Sequence, residues 1–231
     1  MSELVSYRLE DAVASITMDD GKVNVMSLAM QSELHAAFDR AEAAGAVVLL
    51  SGRPGRFSAG FDLPVVQAGG PEATEMVRGG FELSERLLSF PLPVVIACTG
   101  HAIAMGFFLV LSGDYRIGAA GDFKLTANEV AIGLTMPEAA AAIARQRLTP
   151  AAFERAMTVS DVFTPDNAVE TGVLDRVVDA ADCEGAAREV AVLMTSLDMT
   201  AHAATKRRVR AESLASIRAG IEAYAGLGAD G

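Results

Sequence analysis

Arg56-Phe57-Ser58-Ala59-Gly60-Phe61-Asp62-Leu63 leads out of an apolar run through consecutive small residues. The run before it, Ala46-Val47-Val48-Leu49-Leu50, has the length and composition of a strand buried on both faces. Between them Ser51-Gly52-Arg53-Pro54-Gly55 breaks the strand and forms a turn or loop. Where side chains are this small, backbone N–H groups can approach a ligand closely. Amides presented in this way stabilise an oxyanion without reorganising. The same residues also fit a tight strand-to-helix connection that binds nothing.

Upstream, Val5-Ser6-Tyr7-Arg8-Leu9 and Val13–Met18 alternate apolar and polar residues around Glu10-Asp11, which predicts a hairpin. Val23-Asn24-Val25-Met26 is short and extended. Ser27 is a good N-cap for a helix to about Ala43, with Met30, Leu34, Ala37, Phe38 and Ala41 on one face. Gly45 ends it. Downstream, Gln67-Ala68-Gly69-Gly70-Pro71 reads as a mobile loop before a helix over 72–89, which Phe90-Pro91-Leu92-Pro93 stops. Val94–Cys98 is a second buried strand, and Thr99-Gly100-His101-Ala102 turns out of it. Residues 103–111 begin a helix that is apolar nearly all round and must be central. A third strand covers 114–118. Successive strand–loop–helix units predict an α/β fold.

Residues 123–134 form a mixed segment holding Asn128-Glu129, and a helix covers 137–147. Thr149 caps the next helix and Pro150 opens it. Asp161-Val162-Phe163-Thr164-Pro165 is a turn into a short helix ending at Thr171, and 172–178 is the last strand. Helices over 183–196 and 200–224 close the chain, with 226–231 expected to fray. The helical end, 197–231, stands apart from a core over 1–196 as a candidate subdomain or oligomer contact.

A length of 231 residues suits one sizeable domain, and 51% hydrophobic against 21% charged residues excludes global disorder. A net charge of −11 argues against nucleic acid and anionic membranes as partners, though a local basic patch can still hold an anionic small ligand. The longest apolar run is too short to span a bilayer. Met1-Ser2-Glu3-Leu4 lacks the basic and apolar regions of a signal peptide. Cys98 and Cys183 have no metal-ligand spacing and, as buried free thiols, fit a reducing compartment. The expectation is a soluble cytoplasmic protein. His35, His101 and His202 are spaced like no metal site, so no metal is expected.

Three segments together carry a resemblance. They are Phe57-Ser58-Ala59-Gly60-Phe61-Asp62-Leu63, then Pro93-Val94-Val95-Ile96-Ala97-Cys98-Thr99-Gly100-His101-Ala102-Ile103-Ala104-Met105-Gly106, then Asn128-Glu129-Val130-Ala131-Ile132-Gly133-Leu134. In this order the chain resembles the enoyl-CoA hydratase/isomerase family, the crotonases, over about 5–178. The resemblance implies a ββα spiral core with a C-terminal helical region, assembled as a homotrimer or hexamer. It implies an acyl-CoA substrate, with coenzyme A part of that substrate and no separate cofactor. The thioester oxygen would sit between the backbone N–H groups of Phe61 and Met105, helped by the helix starting near Gly106. Val25, Ala59, Gly60, Asp62, Gly106 and Phe108 would line the substrate.

Of the family's two glutamates, the first falls on Phe108 and the second on Glu129. A single carboxylate is the pattern of members that move a double bond from the 3- to the 2-position, removing a proton from C2 and returning it at C4. Burial raises a carboxylate's pKa into the range useful for that transfer. The implied reaction is 3-enoyl-CoA to 2-enoyl-CoA, with hydration of 2-enoyl-CoA and non-catalytic acyl-CoA binding as alternatives. Met105 replaces the usual glycine, and Met136-Pro137-Glu138 stands where the family often has Pro-Gly. Glu138 reads as a second carboxylate or as an ordinary first-turn residue. Asp62 reads more readily as an anchor of its turn or a cap of the following helix than as a substrate contact. Ser58 with His101 lacks the Gly-x-Ser-x-Gly elbow and an orienting acid, which argues against a serine hydrolase. Lys206-Arg207-Arg208-Val209-Arg210 is either a solvated helix face or a contact for CoA phosphates, a task for which Arg53 and Arg56 are further candidates.

Overall fold

The computed structural model describes residues 3–227. Its backbone repeats one move: a strand of a large sheet, a sharp reversal, a strand of a small sheet, then helix. The elements are β1 Val5–Glu10, β2 Val13–Met18, α1 Leu28–Ala43, β3 Val47–Gly52, β4 Gly55–Ser58, α2 Leu63–Ala68, α3 Gly70–Ser89, β5 Val94–Cys98, β6 Gly100–Ile103 and α4 Met105–Leu111. They continue with β7 Tyr115–Ala119, β8 Leu125–Thr126, a 3-10 turn Val130–Ile132, α5 Glu138–Arg145, α6 Pro150–Val159, α7 Pro165–Ala168 and β9 Arg176–Val178. After a second 3-10 turn, Ala180–Asp182, come α8 Cys183–Met194, α9 Met199–Val209 and α10 Ala211–Leu227. Of the tail expected to fray, 226–227 end α10 and 228–231 lie outside the described residues.

The six-stranded sheet runs β1-β2-β3-β5-β7-β9, parallel except for the β1–β2 hairpin, and the three-stranded sheet β4-β6-β8 is parallel. The uninterrupted apolar run of β3 follows from burial on both faces. Val48 and Leu50 join the main core with Val94 and Ile96, while Val47 and Leu49 join a second layer with Val95, Ala97 and α8's Ala187 and Ala191. The reversal from β3 to β4 needs Gly52, because a methyl group there would lie 2.6 Å from Phe57 Cα. This is the ββα spiral that the resemblance implies.

The segment 56–58 is thus a strand of the second sheet, and so is 100–103, which sequence periodicity assigned to a turn out of β5. Strands this short carry no periodic signal, and pairing with each other is what defines them. The loop expected over 67–71 is helical: α2 ends at Ala68, and Gly69 (φ 67°) is the only break before α3. The expected final helix is broken at Arg210, whose guanidinium turns inward to Asp114 and to the carbonyl of Leu88. Every residue of α4 is buried, as its all-round apolarity requires. Ile217 and Ile221 of α10 are buried in the same core as Phe81 and Phe108. No helix among the described residues is long and apolar enough to cross a membrane.

Candidate active site

The small sheet is what assembles the site. Its register sets Ser58 beside Ala102 and Ala102 beside Leu125, with Ile103 beside Thr126. The three strands run in the same direction, so the chain leaves all of them at one end. Phe61 follows β4, Met105 follows β6 and Glu129 follows β8. Residues far apart in sequence are thereby delivered to one edge, the carboxyl ends of parallel strands where α/β folds bind ligands.

Gly60 and the Ala104–Met105 peptide are in contact. With φ at 86°, Gly60 adopts a backbone that other residues enter at a cost, and a methyl group there would lie 2.8 Å from Ala104 Cβ and 3.1 Å from Met105 N. Ala104 itself has φ 49° and ψ −121°, strained for a residue with a side chain. Gly106 packs on Ser58, where a methyl group would lie 2.8 Å from Ser58 Cβ. Among the described residues, neither the Phe61 nor the Met105 N–H donates to a protein acceptor. Met105 opens α4, so its amide is one of the donors a helix start leaves unpaired. Val25 forms a parallel bridge to Gly60, and Met26 N–H donates to Gly60 O at 2.7 Å.

Asn24 holds this arrangement together, and sequence reasoning did not single it out. Fully buried with φ 55°, it donates through Nδ2 to Met18 O at 3.0 Å, Arg56 O at 3.2 Å and Phe57 O at 3.1 Å. Its position inside the apolar stretch Val23-Asn24-Val25 was the available signal. Ser58 is structural: its Oγ donates to Asn24 O at 2.7 Å and accepts from Gly60 N–H at 3.1 Å. His101 is likewise engaged, its Nδ1 accepting the Lys124 N–H at 2.9 Å. Ser58 and His101 are each bonded to other partners.

Glu129 is buried at 9% exposure, and its Oε2 has no hydrogen-bond partner. Burial pushes its carboxyl up to about 7, against a smaller opposing effect of its own backbone N–H. The turn that carries it is tied internally by the Ile132 and Leu134 N–H groups on Glu129 O, at 3.1 and 2.9 Å. Its outer tether is Ser160, a left-handed residue (φ 51°, ψ 44°) whose Oγ accepts the Ala131 N–H at 3.1 Å. The expected turn at 161–165 also pairs with β8, Leu125 and Phe163 exchanging backbone bonds of 2.9 and 3.0 Å. Ser160→Ala removes one exposed hydrogen bond, worth about 1 kcal/mol. It is expected to lower the melting temperature by a few degrees and kcat by about tenfold, measured by thermal unfolding and steady-state rates.

Phe108 is fully buried, with ring centroids 6.1 Å from Phe81 and 5.9 Å from Phe107. Asp62 takes the N-cap position of α2 but makes no side-chain cap bond. Ala59 donates its N–H to Val23 O at 2.9 Å. Glu138 is exposed at the first turn of α5, on a groove shared with Ser213 and Ser216 of α10. In the basic cluster Arg207, Arg208 and Val209 are exposed, as a solvated helix face requires, while Lys206 and Arg210 turn inward. Lys206 is 6% exposed and binds Asp114 Oδ2 at 2.7 Å, and Arg210 binds Asp114 Oδ1 at 2.9 Å. The helical spacing of these cations gave no warning of an acid brought in from another element. Arg53 reaches Asp19 at 3.6 Å and Lys22 O at 3.3 Å, while Arg56 is exposed on β4. No cluster of three or more His, Cys, Asp or Glu suited to a metal occurs among the described residues.

The family model for enoyl-CoA hydratase/isomerase matches residues 8–227. The chain belongs to that family. Crotonase structures align with it closely. One described as the apo form of an enoyl-CoA isomerase from Mycobacterium tuberculosis is 46% identical with a TM-score of 0.94, over 98% of this chain and 99% of that one. An enoyl-CoA hydratase, EchA3, from Mycobacterium ulcerans is 47% identical with a TM-score of 0.93, over 96% and 97% of the two chains. A carnitinyl-CoA dehydratase from Salmonella enteritidis is 27% identical over 218 residues, 92% of this chain and 82% of that protein. This crotonase is an enzyme of the superfamily, and its relatives carry the names of different reactions.

Proposed function

We propose that this crotonase converts 3-enoyl-CoA to 2-enoyl-CoA. The carboxylate of Glu129 removes a proton from C2, and the C–H electron pair moves into the thioester to form a dienolate. The N–H groups of Phe61 and Met105 hold its oxygen as charge develops there. Glu129, now protonated, returns the proton at C4, and the double bond re-forms between C2 and C3. No water is consumed and the carboxylate is regenerated.

The observation that carries this reading is the combination of Glu129 and Phe108: one buried carboxyl whose Oε2 has no partner follows β8, while the position to which the resemblance assigns the family's other glutamate holds a ring packed on Phe81 and Phe107. Hydration needs a second group to orient water, so the double-bond shift is the better fit. A carboxyl titrating near 7 is also matched to a carbon acid better than an ordinary one. Ala59, Gly60, Asp62, Val25 and Gly106 complete the substrate contacts in this reading. A homotrimer or hexamer belongs to it too, for which Val130, Ile132, Leu134, Val159 and Val162 offer exposed apolar side chains.

The test supplies 3-enoyl-CoA and 2-enoyl-CoA separately. The first is expected to isomerise and the second to remain unhydrated, with a C2 deuteron recovered in part at C4. Because the base must be ionised, kcat/KM should rise with pH through about 7 and level above it. Efficient hydration of 2-enoyl-CoA would overturn the assignment, and CoA-ester binding with turnover of neither substrate would make the protein a binder.

A further inference from the structure

We propose that Gly80, in the interior of α3, is a positioning residue that seats both oxyanion donors; the inference rests on the reading that Phe61 and Met105 are those donors. Glycine is unfavourable in a helix interior relative to alanine, so Gly79-Gly80 in mid-helix calls for a reason. Each glycine has a different one. A methyl group on Gly79 would run into Gln31 Oε1, whose side chain ties α3 to the segment before α1 by donating to Met76 O at 2.8 Å and Met26 O at 3.1 Å. A methyl group on Gly80 would instead lie 2.6 Å from Phe61 Cζ and 3.3 Å from Met105 Cγ.

The side chains of both donor residues therefore rest on the same bare patch of α3 backbone. Phe61 also meets Phe81, the next residue of α3, edge-on at a centroid distance of 6.1 Å, and Met105 is fully buried. Neither side chain has a polar atom to offer the thioester. Their work is to fix two backbone N–H groups, one following β4 and one opening α4, at a common spacing and direction. The bare surface of Gly80 is the reference against which both are set. This also accounts for Met105 where the family usually has glycine: the longer side chain reaches α3 and anchors a peptide that glycine would leave untethered.

Gly80→Ala pushes the Phe61 ring and the Met105 side chain off this seat. It is expected to lower kcat about 100-fold with a smaller change in KM, as misplacement of a reacting group by about 1 Å does. Affinity for acetoacetyl-CoA, a thioester that enolises readily and so probes the oxyanion site without turnover, should fall at least about tenfold. Phe61→Leu keeps the donating N–H but removes the atoms that collide, Cε1 and Cζ. On its own it is expected to lose part of the rate. Combined with Gly80→Ala it should recover at least tenfold of the kcat and of the acetoacetyl-CoA affinity lost by Gly80→Ala alone. Gly79→Ala crowds Gln31 instead of either donor side chain, and as the control for crowding elsewhere on α3 it should leave acetoacetyl-CoA affinity within about threefold.

Full acetoacetyl-CoA affinity in Gly80→Ala would overturn the inference. So would a double variant no better than Gly80→Ala, or an equal loss in Gly79→Ala. If Gly80→Ala fails to fold, recovery of folding and acetoacetyl-CoA binding by Phe61→Leu supports the same crowding, and failure to recover overturns it. If the wild-type protein binds acetoacetyl-CoA with this pattern of variants yet does not isomerise 3-enoyl-CoA, the isomerase reading falls and the role of Gly80 stands.

Discussion

Glu129→Gln is expected to reduce kcat for the double-bond shift by about a thousandfold and, at pH 8, to make the protein more stable than the wild type. The first effect is the loss of the only proton carrier in the proposed mechanism, at the size general acid–base groups contribute. The second follows from linkage. The Glu129 carboxyl goes from 4.5 when free to about 7 in the fold, so the folded protein holds a proton that the unfolded chain releases in this window. Stability therefore falls as pH rises from 4.5 to about 7, and the full penalty, on the order of 3 kcal/mol, is present above that. Gln occupies the same space without a charge and removes the penalty. Urea unfolding at pH 8 and at pH 4 checks it: the gain should appear at the first and vanish at the second. A Gln variant that keeps wild-type turnover would remove Glu129 from the mechanism, whatever its stability.

Asp114→Ala should cost about 3–5 kcal/mol of folding stability, the range found when one partner of a buried ion pair is removed. Asp114 answers both Lys206 and Arg210 and also accepts the Val94 N–H at 2.7 Å. Without it two cations remain at side-chain exposures of 3% and 12%. Burial already depresses Lys206 to about 8, with the nearby Asp114 opposing that shift. Because this is below the 10.5 of a free lysine, the folded state sheds that proton first, and Lys206's contribution to stability grows as pH rises from about 8 towards 10.5. Lys206→Met added to Asp114→Ala should recover part of the loss by removing one stranded charge. Denaturation midpoints of the single and double variants decide it. Because α9 is held by this pin, a loss below about 1 kcal/mol would mean the cations find water instead.

What could be read in advance followed the range of the forces involved. The strands β3 and β5, the helix α1 with its Ser27 cap and the wholly buried α4 were legible because burial and local hydrogen bonding act on each segment independently. The order of the three motif segments was enough to indicate the family and to nominate Phe61, Met105 and Glu129. The small sheet was not legible. Its strands of two to four residues show no period, and they read as turns until they pair with one another. Helix periodicity likewise marked 206–210 as cationic but could not supply Asp114, which arrives from the start of β7.

The opening segment, Phe57-Ser58-Ala59-Gly60-Phe61, shows the division most clearly. Its small residues determined by themselves that the backbone there is bare and able to turn, since that depends only on the absence of side chains. Only tertiary structure decided what the turn meets: Gly60 against Ala104 and Met105, Asn24 gripping the carbonyls of Arg56 and Phe57, and the Phe61 ring on Gly80. Those contacts join residues that the chain separates by 19 to 45 positions, and parallel strand pairing together with the packing of α3 brings them to one edge.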